Sequence, residues 1–480
     1  MSSPLSRAFA DQAFSRAAGA PLVEGNCVRL LTDGRENYPA WLEAIGAAQR
    51  TIHFETYIIH EDDVGRQFAE ALIAKARQGV RVRLIYDWMG GLGKSSRRFW
   101  RALRAGGVEV RCYNPPRLDS AFGWLSRDHR KMLAVDGAIG FVTGLCVGRM
   151  WVGAPDAGVE PWRDTGIEVR GPAVADMEQA FAEMWAAMGE PVPAHEIARR
   201  EALPPVGDAA LRVVATRPAT AALLRVDQLV AALARQRLWL TDAYFAGTTA
   251  YVQALRAAAL DGVDVRLLVP GGSDIPVLRP LSAAGYRPLL TAGVRVFEWN
   301  GSMLHAKTAV ADSIWARVGS TNLNVASWLN NCELDVVIED APFARAMEEA
   351  YLRDLQHATE IVLAARPRRR RLRARRRERR GATSGGGSAG PAAAGALRIG
   401  HTVGAAFTSQ RVLEPIERRI LFIAGAVLLA LALLVAFLPR LLTYPLVVVG
   451  VWIAVTLLYR GFTLRSDAAA AARRRNTDGP

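Results

Sequence analysis

Three β-branched runs occur twice in the same order, and this duplication limits what the chain can fold into more than any other feature. RTIHFETY (Arg50 to Tyr57) is answered by RLWLTDAY (Arg237 to Tyr244), which aligns Glu55 with Asp242 and Tyr57 with Tyr244. GVRVRLIYD from Gly79 is answered by GVDVRLLVP from Gly262, and GVEVRCYN from Gly107 by GVRVFEWN from Gly293. Each run follows a helical pattern, such as Val64 to Arg77 or Thr248 to Leu260, so the unit reads as mixed α/β layers. The expected fold class is α/β: two copies of one mixed-sheet unit, at about 26–195 and 205–365, packed with pseudo-twofold symmetry.

The C-terminal part has a different character. Arg366 to Arg380 holds eleven arginines and one glutamate, a net of +10 out of the formal +14 of the whole chain. So dense a block of one sign cannot pack, and is expected to be a solvated arm. The basicity therefore belongs to a tether and not to a catalytic surface. GATSGGGSAGPAAAGA (Gly381 to Ala396) follows with the composition of a flexible linker, and 366–419 reads as linker as a whole. Two uncharged apolar stretches come next, Ile420 to Leu438 and Leu441 to Tyr459. Each has about 19 residues, or roughly 28 Å as a helix, close to the hydrocarbon thickness of a bilayer. They are expected to form a transmembrane hairpin over 420–459, with a basic tail at 460–480. Arg418, Arg419, Arg460, Arg465 and Arg473 to Arg475 flank the outer ends, so both ends and the large domain before them are expected on the cytoplasmic side of the inner membrane. The arginine tract suits anionic headgroups, with a bare spacer or nucleic acid as other readings. No export signal is expected at the N-terminus, and the scattered cysteines Cys27, Cys112, Cys146 and Cys332 suit a reducing compartment.

Chemistry enters after the third repeated run. Both copies deliver the same spacing, His129-Arg-Lys131 with Asp136 and His305-Ala-Lys307 with Asp312. KMLAVD and KTAVAD look like strands, in which residues two apart share a face, so each histidine and lysine point into one space. One such pair is weak evidence; two, at corresponding places in a duplicated unit, indicate a single shared site. Phosphodiester chemistry uses such a set well. A neutral imidazole attacks phosphorus, the other imidazole, protonated, serves the leaving alkoxide, and two ammoniums hold the non-bridging oxygens. No metal or other cofactor is expected. The rival cluster His53, Glu55, His60 and Asp62 lacks a recognisable metal spacing.

These residues resemble the phospholipase D superfamily, whose doubled HxKxxxxD they reproduce across both repeats. The resemblance implies a phosphohistidine intermediate formed without metal. It also implies that Ser320 and Asn322 of GSTN contact phosphate, and that Glu333 orients a catalytic histidine. The first copy departs from the pattern: Thr143-Gly144-Leu145-Cys146 puts a thiol, a poor donor, where an asparagine amide is usual. Downstream, PWRDTGIEVRGPAV (Pro161 to Val174) resembles the WRDT segment of cardiolipin synthases, which makes Asp164 the counterpart of Glu333. Asp136 and Asp312 belong to the motif but fall on the opposite strand face, and are expected to fix the following turn. Phe122, Trp124 and Leu125, set among arginines in Arg117 to Arg127, read either as an interfacial lip or as an ordinary packed loop.

The expectation is a cardiolipin synthase-like phosphatidyltransferase. Two phosphatidylglycerol molecules react through a phosphohistidine and release glycerol; the resemblance implies His129 as nucleophile and His305 as general acid, an order the sequence alone does not separate from its reverse. Hydrolysis of phospholipid, a phosphodiesterase or nuclease activity, and an inactive membrane scaffold stay open as alternatives. The expected partners are phospholipid and an anionic membrane surface rather than nucleic acid; the oligomeric state is not legible.

Overall fold

A computed structural model gives the architecture and describes residues 4–116, 126–154, 156, 158–272, 274 and 278–363, with isolated positions between 429 and 455. The first repeat is preceded by α1 (Pro4–Ala18) and runs through β1 (Val23–Thr32), α2 (Asp33–Ala47), β2 (Thr51–Thr56), α3 (Asp63–Arg77), β3 (Arg81–Asp87), α4 (Trp88–Gly91), α5 (Arg97–Ala105), β4 (Glu109–Tyr113), β5 (Met132–Val135), β6 (Ile139–Thr143), β7 (Thr165–Arg170) and α6 (Val174–Ala186). The second contains β8 (Ala209–Ala215), α7 (Ala222–Leu233), β9 (Arg237–Thr241), α8 (Thr249–Leu260), β10 (Asp264–Pro270), α9 (Leu278–Thr291), β11 (Arg295–Trp299), β12 (Thr308–Ala311), β13 (Trp315–Gly319), β14 (Leu334–Glu339), α10 (Ala341–Leu355) and β15 (Ala358–Ile361).

The strands form one ladder in the order β15-β11-β10-β9-β12-β13-β14-β8-β1-β7-β6-β5-β2-β3-β4. Outward from the antiparallel β8–β1 junction, the two directions read 8-14-13-12-9-10-11 and 1-7-6-5-2-3-4. The duplication in the sequence is thus a pseudo-twofold axis in the hydrogen bonding. In each half the outer strands β2-β3-β4 and β9-β10-β11 are parallel, which requires the crossover helices α3, α5, α8 and α9 between them.

Apolar residues of the two halves meet in a shared core. Val142, Ile167 and Phe181 of the first repeat lie in one buried cluster with Val318, Val336 and Phe343 of the second. Tyr38, Trp41 and Phe68 build a separate core under the helices of the first half, and Val226, Tyr251 and Leu255 one under those of the second. α1 departs from chain order: its Phe14 and Ala18 join the core of the second repeat, and Asp11 accepts a hydrogen bond from the buried Arg212. The positions Phe122, Trp124 and Leu125, the arginine tract at 366–380, the linker and nearly all of 420–459 lie outside the described residues. Among the described residues no helix is long and apolar enough to cross a membrane.

Candidate active site

Each histidine-lysine pair sits just before a short strand, β5 or β12, which is antiparallel to the first parallel strand of its repeat, β2 or β9. The approach to each pair is laced onto the other repeat. His129 N donates to Cys332 O at 2.9 Å, and His305 N donates to Arg163 O at 2.7 Å. The residue after each of these acceptors is a carboxylate, Glu333 or Asp164, so the backbone register delivers that side chain to the opposite histidine.

The delivery is close. His129 Nδ1 lies 2.9 Å from Glu333 Oε2, and His305 Nδ1 lies 2.7 Å from Asp164 Oδ2. Burial works to raise both carboxyls, but the facing histidines and the site lysines outweigh it and leave both below the ordinary carboxylate range. Ionised carboxylates only accept, so each imidazole donates from Nδ1 and keeps its Nε2 lone pair for chemistry. Burial lowers both histidines, with Glu333 and Asp164 opposing it; His305, which Lys307 pushes further, is brought down to about 4. Lys307 is itself lowered to about 8 by burial, against the pull of Asp164 and with help from Lys131. Lys307 acts on His129 and Lys131 acts on His305, so the two pairs share one electrostatic space.

Several groups at this site carry no motif. Tyr57 meets His129 edge-on with centroids 5.1 Å apart and has Lys131 Nζ 5.2 Å from its ring centre. Tyr244 repeats this with His305 at 5.9 Å and Lys307 at 5.9 Å. The signal was present in the sequence as the aligned tyrosines of the repeat. Trp151 had no such signal; its Nε1 donates to Asp164 Oδ2 at 3.1 Å, and with Trp162 it walls His305. Arg163 anchors the neighbouring backbone by donating from Nε and Nη2 to the two Asp354 oxygens at 2.8 and 2.9 Å.

The remaining expected site residues divide. Ser320 is fully buried; its Oγ donates to Glu333 Oε2 at 2.5 Å and accepts from Leu334 N at 3.0 Å. In this arrangement the hydroxyl braces Glu333. Asn322 remains available, with Oδ1 buried and without a partner. Cys146 occupies the corresponding place in the first repeat, buried and within the fields of Lys131 and Lys307. Gly144 corresponds to Ser320, and a Cβ there would meet Asp164 Oδ1 at 2.2 Å. Each repeat has therefore matched its small residue to its own carboxylate.

Asp136 and Asp312 stand apart from the site, five residues past Lys131 and Lys307 and beyond the four-residue strands β5 and β12, which are each roughly 13 Å long. Both have positive φ and clamp the hairpin to the next strand. Asp136 accepts from the backbone N–H groups of Gln49, Arg50 and Thr51, and Asp312 from those of Arg235, Gln236 and Arg237. These contacts are those of a turn clamp. The rival cluster does not converge: His53 stacks on Phe181, Glu55 faces Arg130, and Asp62 caps α3.

The chain matches the family described as Cardiolipin synthase, PLD-like domain, over residues 41–185 and 230–355. It is 32% identical over 345 residues to a cardiolipin synthase of Alkalihalophilus pseudofirmus, covering 71% of this chain and 68% of that one. It is 34% identical over 360 residues to cardiolipin synthase A of Pseudomonas fluorescens, covering 73% of each. A solved structure, phosphatidylserine synthase of Haemophilus influenzae, superposes with a TM-score of 0.58 at 13% identity, covering 74% of this chain and 92% of that one, which shows a common fold.

Proposed function

The chain belongs to the phospholipase D-like family of cardiolipin synthases, and from that premise we propose that it transfers a phosphatidyl group from one phosphatidylglycerol to the hydroxyl of another, forming cardiolipin and glycerol. The observation that carries the reading is the reciprocal pairing of each histidine with a carboxylate of the other repeat, which leaves two Nε2 atoms for the two proton-linked jobs of phosphoryl exchange.

His129 Nε2 attacks the donor phosphorus, and the bond from phosphorus to the glycerol headgroup oxygen breaks. The Nε2 proton of His305 goes to that oxygen, and glycerol leaves. The acceptor hydroxyl then gives its proton back to His305 and attacks phosphorus, and the P–N bond to His129 breaks. Lys131 and Lys307 balance the charge of the non-bridging oxygens, with the Asn322 amide beside them. Glu333 and Asp164 hold the tautomers and ring planes throughout. The same groups serve with the histidine roles exchanged, and one observation favours that second reading: His305, brought down to about 4, is the imidazole better kept neutral for attack.

The catalytic repeats, at about 26–195 and 205–365, are held to the membrane by the linker at 366–419 and a hairpin over 420–459, with the 460–480 tail and the site both cytoplasmic. The apolar, uncharged composition of the two stretches and the arginines at their outer ends support this placement.

Purified full-length protein in mixed micelles with phosphatidylglycerol is expected to yield cardiolipin and glycerol in equal amounts. Phosphatidic acid in place of cardiolipin would replace transfer by hydrolysis. His129→Ala and His305→Ala should each abolish product, and acid-quenched, phosphorus-labelled protein identifies the attacking histidine by the peptide that carries the label.

A further inference from the structure

The segment joining β3 to β4 carries a charge that its counterpart in the other repeat lacks. Between Trp88 and Ala105 the sequence has Lys94, Arg97, Arg98, Arg101 and Arg104 and no acidic residue, whereas 271–291, which joins β10 to β11, has two arginines and Asp274. The two segments do the same topological work, so the five cations are not a requirement of the fold. All five are exposed, while Phe99, Trp100 and Leu103 of the same helix are buried. Among the described residues none of the five makes an ion pair, in contrast to exposed arginines such as Arg149 and Arg295, which are paired with Asp63 and Glu360.

The segment is also fastened to the site. Asp87, at the end of β3, accepts from Gly90 N at 2.9 Å through one oxygen and from Asp128 N, beside His129, at 3.0 Å through the other. Gly90 lies so close to Tyr57 that a Cβ there would meet Tyr57 O at 2.3 Å. The loop that follows is pinned by Glu61, whose backbone N–H donates to Lys94 O and whose carboxylate accepts from Ser96 N. At its crest Leu92 is 58% exposed. A fixed loop with an exposed apolar side chain, next to the site and backed by cations that have no ion-pair partner among the described residues, though Arg104 also donates to Val110 O, has the chemistry of a surface that meets anionic headgroups.

We propose that the α4–α5 segment of the first repeat docks on an anionic phospholipid bilayer, with Leu92 entering the headgroup layer and Lys94, Arg97, Arg98, Arg101 and Arg104 on phosphates, and so sets the mouth of the site against the lipid plane. This rests on the phospholipid reading above and goes beyond it, because that reading places the catalytic part near lipid and does not say which of its faces meets the lipid.

The test uses the full chain reconstituted in vesicles, with Cys27 and Cys112 replaced and a fluorophore on Leu92→Cys or, as control, on Ile314→Cys. Ile314 is 59% exposed on the β12–β13 turn, at the end of its repeat away from the site. Spin-labelled lipid should quench the label at 92 and not that at 314 in phosphatidylglycerol vesicles. Quenching should fall with added salt and in phosphatidylcholine. Each cation contributes roughly a fivefold factor at low salt, so Arg97→Gln, Arg98→Gln and Arg101→Gln together should shift the docked-to-undocked ratio by roughly a hundredfold. Equal quenching at 92 and 314, or quenching at 92 that ignores lipid charge and the triple substitution, overturns the proposal. Quenching does not depend on turnover, so a failure of phosphatidyl transfer would count against the enzyme reading and leave this result standing. Activity of the triple variant on phosphatidylglycerol diluted in a large excess of nonionic detergent at high salt, where surface charge is weak and screened, should match the parent, which separates docking from misfolding.

Discussion

The Nδ1 atom of His129 lies 2.9 Å from Oε2 of Glu333, a residue 204 positions further along the chain. His305 and Asp164 make the inverse pair, so neither repeat contains a complete histidine-carboxylate unit of its own. If the carboxylates fix tautomer and ring orientation, Glu333→Gln and Asp164→Asn should each lower kcat by about a hundredfold or more while KM changes little. Steady-state kinetics with phosphatidylglycerol decide this, and a loss confined to KM would assign the carboxylates to substrate binding.

Burial, with Lys307 adding to it and Asp164 opposing, brings His305 down to about 4 from 6.5. The folded pKa is the lower one, so the unfolded chain takes this proton first. The stability that His305 contributes is complete above 6.5 and is lost as the pH falls toward about 4. Asp242, raised to about 7 by burial, works in the opposite sense: its contribution is present at low pH and lost as the pH rises through about 7. A single melting curve mixes these effects, so the useful quantity is a difference. Tm of the parent minus Tm of His305→Asn should fall between pH 6.5 and 4 by several degrees, and a flat difference across that window would contradict the depressed value.

Local pattern accounts for what the sequence revealed, and long-range pairing accounts for what it hid. The order of the β-branched runs was enough to expect β2-β3-β4 and β9-β10-β11 as equivalent sets, and the aligned HxK motifs marked His129 and His305. Tyr57 and Tyr244 were visible as aligned residues, but nothing in an alignment says that a ring will face a lysine. The tie between Ser320 and Glu333 was not legible because Glu333 arrives from a neighbouring strand, and side-chain commitment between strands leaves no trace in spacing. Trp151 and the docking of Phe14 on the second repeat were invisible for the same reason: each depends on a contact set by tertiary packing.

Cys146 and Asn322 occupy corresponding places, yet only Asn322 brings a strong donor. Burial holds the Cys146 thiol above its ordinary range despite the two lysines nearby, so it stays neutral and weakly polar. Asn322→Ala should therefore cost roughly 10-fold to 100-fold in kcat/KM, while Cys146→Ala stays within about threefold. Comparable losses in the two variants would mean that the thiol side of the site also grips the phosphate.

The proposed membrane hairpin makes a prediction that concerns direction. Arginines flank both outer ends of the 420–459 region, and Arg440 alone lies between its apolar stretches. If the two stretches span as proposed, they return the chain to its starting side, Pro439 emerges opposite the catalytic repeats, and the positive-inside rule places that side outside the cytoplasm. In a cysteine-free background, Pro439→Cys should react with an impermeant thiol reagent added to cells whose inner membrane is intact but accessible. Ser388→Cys, in the linker before the hairpin, should react only after that membrane is permeabilised. The reverse pattern would put both histidine-lysine pairs outside the cytoplasm. Labelling of both positions only after permeabilisation would replace the spanning hairpin by one that dips into the bilayer and returns, leaving the arginines on the same face as the turn they were taken to oppose.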